Sequence, residues 1–190
     1  MTGMWRLECS TGALIARCSP LSRPSLLRRF TLAAAAGAPA SVSASAPISP
    51  LLDGAGQAVD VATLRGQSVA LYFAGAWCPM CLSFTPKLKS FMEGQPGKRI
   101  VFVSSDFSEA EYAQHRASMG KDWLAVPYAS DLEASLKRRF RVWGGREAGT
   151  FGTQRRSGLP TLVVVDLETG KEIQHLNAES EGFSVLAKWE

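Results

Sequence analysis

Apolar residues gather along the chain in blocks of two kinds. Residues 69–73, 100–103 and 161–165 are uncharged runs of aliphatic, β-branched and aromatic side chains, the pattern of strands covered on both faces. Between them the apolar positions spread to helical spacing. One helix is predicted over 79–91, opening just after Cys78, with Pro86 inside it as a kink. A second runs from a capping box of Ser108 and Glu111 to about Met119. A third covers Asp131–Phe140, with Asp131 as N-cap and Lys137, Arg138 and Arg139 at the end that favours cations. Residues 166–170 read as a hairpin turn into a partner strand at 172–176, and a short amphipathic helix is predicted over 180–189. This order predicts an α/β layer fold, parallel in its first half and antiparallel at its end. No internal repeat is visible.

Before residue 51 that patterning is missing. The first fifty residues are rich in Arg, Ser and Ala and contain no lysine. Their five arginines (6, 17, 23, 28 and 29) against the single Glu8 account for the whole net charge of +4. Residues 51–190 are balanced, 16 basic against 16 acidic, so the basic character belongs to the leader and a nucleic-acid partner loses its main support. The composition predicts an organellar transit peptide rather than part of a fold; an ordinary tail is the alternative. Mitochondrion and plastid both fit. Arg28-Arg29-Phe30-Thr31-Leu32 with Ala44-Ser45-Ala46 would suit a route into a plastid lumen. Cleavage between Phe30 and Pro50 would remove Cys9 and Cys18 and leave one domain over 51–190, expected to be a monomer. No run approaches the roughly 18 apolar residues of a spanning helix, so no membrane partner is expected.

The two remaining cysteines lie in Trp77-Cys78-Pro79-Met80-Cys81, where a buried strand gives way to a helix. Cys78 falls at the helix N-terminus, where unpaired N–H groups and the dipole favour a thiolate. Cys81 lies one turn on, within disulfide reach. The pair can attack a substrate disulfide, hold it as a mixed disulfide and then resolve it. Two other readings compete. Half a zinc site would need two more ligands, and His115 and His175 are not spaced as a pair. A structural disulfide in so small a ring barely constrains the unfolded chain. The redox reading places both sulfurs on a shallow exposed ledge. Leu159-Pro160-Thr161 adds a proline at the start of a buried strand, which points to a cis peptide packed beside the cysteines; a trans proline opening an edge strand is the alternative.

These residues resemble the thioredoxin superfamily, and within it the tryparedoxin and nucleoredoxin branch. The matching stretches are 71–81 (LYFAGAWCPMC), 84–86 (FTP), 101–106 (VFVSSD), 123–128 (WLAVPY) and 159–164 (LPTLVV), together spanning about 51–176. The resemblance implies a thioredoxin-like three-layer α/β/α fold with a mixed central sheet. It makes Cys78 the attacking thiol, Cys81 the resolving thiol and Pro160 the cis-proline. Trp77, Pro79, Met80 and Leu159 become substrate-facing neighbours. Three departures stand out. Leu82 stands where the family usually places Arg or Lys, so one charge favouring the thiolate is missing. Tyr72 stands where ordinary thioredoxins carry a buried acid, leaving the proton-transfer helper unassigned, and Asp106 and Glu109 are not nominated. Residues 143–157 form an insertion between Phe140-Arg-Val142 and the proline loop. Residues 137–156 carry seven bases and one acid. The insertion is expected to be a mobile flap at the rim that selects an acidic or phosphate-bearing partner, or else a solvated loop without a role.

The resulting expectation is a disulfide reductase acting on protein or small-molecule disulfides. It would carry no cofactor or metal, since no G-x-G-x-x-G element occurs, and would be recharged by an external reductase or small dithiol. A redox-switched binding or assembly module is the alternative. A peroxidase ranks last for want of a T-x-x-C arrangement.

Overall fold

The structure, a computed structural model, describes residues 46–190. The predicted transit peptide therefore lies almost wholly outside the described residues. At the centre of the sheet, β3 (Ser68–Ala74) pairs in parallel with β4 (Lys98–Ser104) and antiparallel with β6 (Thr161–Val165). Beyond β4 come β5 (Leu124–Ala125), parallel, then β1 (Leu51–Leu52) and β2 (Ala58–Val59), both antiparallel. Beyond β6 lies β7 (Glu172–Leu176), joined by the predicted hairpin. Among the described residues the order is β2-β1-β5-β4-β3-β6-β7, a mixed sheet.

Strand alternation explains the layers. Side chains at successive positions of β3 point to opposite faces. Tyr72 meets Phe84 of α1 (Pro79–Glu93) at 6.0 Å between ring centres, and Phe73 meets Phe140 of α3 (Asp131–Phe140) at 6.4 Å. Phe102, the register partner of Tyr72, stacks on Tyr112 of α2 (Glu109–Ser118). Helices α1 and α2 thus cover one face and α3 the other, with β3 buried from Val69 onward. Helix α1 runs through Pro86 to Glu93.

Several boundaries differ from the sequence reading. The N-cap of α3 is Ser130, not Asp131. Its hydroxyl accepts from Glu133 N at 3.2 Å, while the Glu133 carboxylate reaches back to Ala129 N at 3.0 Å. The predicted C-terminal helix is one α turn, α5, preceded in sequence by the α4 turn of the insertion. Here α4 is Ala148–Phe151 and α5 is Ala178–Glu181, the latter followed by a 3-10 segment, Gly182–Lys188. Gly182, at φ 63°, lies in the left-handed region and ends the α geometry. The fold also begins before residue 51. Ile48 is fully buried and its N–H donates to Leu167 O at 2.9 Å, so residues 46–50, which the sequence reading gave to the leader, belong to the folded unit.

Candidate active site

Cys78 is the N-cap of α1, in extended backbone, with Pro79 opening the helix. Its Sγ accepts from Cys81 N at 3.4 Å, and its thiol lies 3.7 Å from Leu159 O across the cleft. Both thiols are free. They do not share the exposed ledge that the sequence reading assumed. Cys78 is only 6% exposed and Cys81 not at all, because the proline loop covers the first and β3 and α1 enclose the second. What little exposure the pair keeps therefore belongs to Cys78, with Cys81 fully enclosed.

This asymmetry sets the electrostatics. Cys78 is held down to about 6, chiefly by a hydrogen bond from the Cys81 thiol, with the N–H groups of Cys81 and Met80 adding. Burial and the Glu179 carboxylate push the other way. Cys81 is driven far above an ordinary thiol, first by its hydrogen bond to Cys78 and then by burial. The helix N-terminus and the second thiol thus do what the missing cation at Leu82 would have done. Tyr72 does not replace the missing acid. Burial raises its hydroxyl, which pairs with Thr85 Oγ1 at 2.9 Å while Thr85 donates to Cys81 O.

The remaining sequence-predicted residues surround Cys78. Pro79 and Met80 are exposed on the first helical turn, and Trp77 is half-buried, its indole N–H donating to Ser105 O at 2.6 Å. Leu159 and Pro160 are buried on the opposite side, joined by a cis peptide bond. Thr161 Oγ1 donates to Gly158 O and pairs with Ser157 Oγ, holding the loop in shape.

The insertion reaches the rim beside Trp77 and is folded down rather than loose. A bridge between Val142 and Ser157 closes its base. Trp143 is buried, meets the ring of Phe151 of α4 at a tilt and donates its indole N–H to Gly152 O at 3.0 Å. Gly144 passes so near that a β-carbon there would sit 2.8 Å from the Trp77 ring and 3.2 Å from Leu159, so only glycine fits. Lys137 is buried and shared between Glu133 (2.8 Å) and Glu147 (2.7 Å), and Glu147 also accepts from Gly144 N. Arg155 binds Glu179, and Arg156 binds Glu172. Carboxylates from α3, β7 and α5 thereby pair with three of the seven bases that the local sequence displays.

Four site residues escaped the sequence reading. Asp106 is buried. Its carboxylate accepts from Ala76 N (2.6 Å) and Ser104 Oγ (2.8 Å) and meets His115 Nδ1 at 2.9 Å, which ties the turn before Trp77 to β4 and α2. Those bonds hold it below the ordinary carboxylate range despite its burial. Glu179 accepts from Gly158 N at 2.5 Å and so fixes the proline loop from a segment twenty residues later. Phe107 is half exposed and stacks on Trp77. Arg146 lies over both rings, 5.0 and 5.4 Å from their centres. Ser104-Ser105-Asp106 at the end of β4 was a usable signal for Asp106, and the basic bias of the insertion for Arg146; nothing local marked Glu179 or Phe107. Among the described residues no cluster of three or more His, Cys, Asp and Glu could hold a metal ion.

Comparison with known proteins finds the same mixed-sheet α/β fold. A family model described as thioredoxin-like matches residues 66–172, more than half of the chain. The chain belongs to the thioredoxin-like family. Within this family it is 36% identical to mouse nucleoredoxin over 121 residues, 62% of this chain and 24% of that protein. It is 32% identical to Trypanosoma brucei brucei tryparedoxin over 115 residues, 59% of this chain and 69% of that one. Among solved structures, thioredoxin from Wuchereria bancrofti superposes with a TM-score of 0.55 at 31% identity, covering 73% of this chain and 92% of the other. The chain spans about a quarter of the length of the nucleoredoxins it matches.

Proposed function

We propose that this thioredoxin-like chain is a thiol–disulfide oxidoreductase that reduces protein or small-molecule disulfides through Cys78 and Cys81. One observation carries the reading: the outward thiol, at the helix N-cap, is held near pKa 6 by an inward thiol that hydrogen-bonds to it. At neutral pH Cys78 is a thiolate. It attacks one sulfur of the substrate, forms a mixed disulfide and expels the other sulfur as a thiolate, which takes up a proton. Forming that bond removes the charge that held the proton on Cys81. Cys81 then loses its proton, attacks Cys78 Sγ and releases the second substrate thiol, leaving the Cys78–Cys81 disulfide. Two electrons pass from the dithiol to the substrate, and an external reductase or small dithiol restores it. Trp77, Pro79, Met80, Leu159 and Pro160 frame the approach, and an extended substrate segment would lie along the proline loop.

Trapping tests this directly. Cys81→Ser should accumulate mixed disulfides through Cys78, and Cys78→Ser should lose turnover by about a thousandfold or more. Full biological activity in Cys78→Ser would instead favour the redox-switched binding module. The acid-poor, arginine-rich leader supports an organellar destination; a reporter fused to residues 1–50 that stays in the cytosol would remove that part of the proposal.

A further inference from the structure

The rim carries a cation that the fold leaves uncommitted. Asp106, Glu111, Glu147 and Glu179, acids near the Trp77–Phe107–insertion surface, are each already engaged. Asp106 is held by Ala76 N, Ser104 and His115; Glu111 accepts from Phe107 N at 2.9 Å; Glu147 serves Lys137 and Gly144 N; Glu179 serves Arg155 and Gly158 N. The cations of the insertion are engaged in the same way, Lys137, Arg155 and Arg156 by carboxylates and Arg141 by Gln154 O. Arg146 is different. It is exposed, forms no ion pair among the described residues, and rests on the Trp77 and Phe107 rings, which fix its guanidinium at the mouth of the site. Its root, Gly144, passes so close to Trp77 and Leu159 that a β-carbon there would meet both.

Building on the reductase reading, we propose that Arg146 is a specificity-determining residue. Stacked on Trp77 and Phe107, it docks a carboxylate of an acidic peptide segment that flanks the substrate disulfide. A guanidinium held on aromatic faces keeps its N–H edge free, and that edge matches a carboxylate in a bidentate pair. The half-exposed Phe107 and the exposed Met80 offer the apolar contact that the rest of such a segment would cover. The phosphate-bearing partner considered from the sequence is the weaker choice. Among the described residues Arg146 is the one base stacked over the Trp77 and Phe107 rings, and a single guanidinium is too little to hold a dianion by charge alone.

The experiment compares two synthetic peptide disulfides, one flanked by glutamates and one by lysines. The wild-type chain should prefer the acidic peptide. Arg146→Ala should lower the ratio of kcat/KM values about fivefold, as expected for losing one exposed charge contact. Arg146→Glu should lower it further and reverse the preference. Arg138→Glu, an equal charge change at an exposed position over Phe151 and off this rim, should leave the ratio where it was. The preference should also shrink between low salt and 1 M salt, since exposed charges are screened there. A ratio that Arg146→Glu does not move, in a protein that still reduces both peptides, overturns this inference alone. A wild-type protein that reduces neither overturns the reductase reading and the inference together.

Discussion

The two walls of the cleft are made in opposite ways. The cysteine wall comes from one short stretch of chain: Gly75 to Thr85 supplies the turn, the N-cap, both thiols and the hydroxyl on Cys81 O. The facing wall is assembled from far-apart pieces. Leu159 and Pro160 are held by Glu179, the insertion root by Glu147 and Lys137, and the outer surface by Phe107 and Arg146. Chemistry thus sits on the locally determined side and selection on the side that only tertiary structure completes. A change in the first wall should alter the reactivity of sulfur. A change in the second should alter stability or preference and leave that reactivity largely in place.

The sharpest way to break this contrast is Cys81→Ala. It removes the hydrogen bond that does most to lower Cys78, so the alkylation midpoint should rise from about 6 towards an ordinary thiol. Because thiolate forms as pH rises through the pKa, alkylation at pH 6 should slow by at least about tenfold. An unchanged pH profile would mean that the helix end alone sets the thiolate. Next in size is Glu147→Ala. It leaves Lys137 with one partner and Gly144 N with none, and should cost about 1–3 kcal/mol in denaturant unfolding without moving the Cys78 midpoint. A shifted midpoint would show that the walls are coupled. The smallest effect belongs to Glu179→Gln. Its ion pair with Arg155 is about a third exposed, so the stability loss should stay below about 1 kcal/mol. Removing a negative charge that raises Cys78 should move its midpoint downward, and an upward shift would contradict the assigned sign.

The same contrast explains what could be read beforehand. An uncharged run such as 69–73 declares a doubly covered strand, and a CxxC after it declares its helix N-terminus, because both signals are local. The two-residue strands β1, β2 and β5 carry no period to detect. Ser130 and Asp131 both make acceptable caps, and only the reach of Glu133 back to Ala129 N decides between them. The insertion misled for a physical reason. Glycines and arginines in sequence look like a solvated flap, but Lys137, Arg156 and Arg155 pair with Glu133, Glu172 and Glu179, which lie elsewhere in the chain. Trp143, in the middle of that basic stretch, was the one local hint of an anchor.

Ile48 also sets a limit on how far the chain could be trimmed from its N-terminal side without opening the fold. A protease that stopped at Ala46 or earlier would leave a sealed molecule, with Arg139 still bonded to the Ala46 carbonyl. One that cut two residues past Ile48 would pull a plug from the interior and expose the apolar surface beneath it. If the leader proposed above is removed, the new end would therefore be bounded by packing as well as by whatever a peptidase recognises.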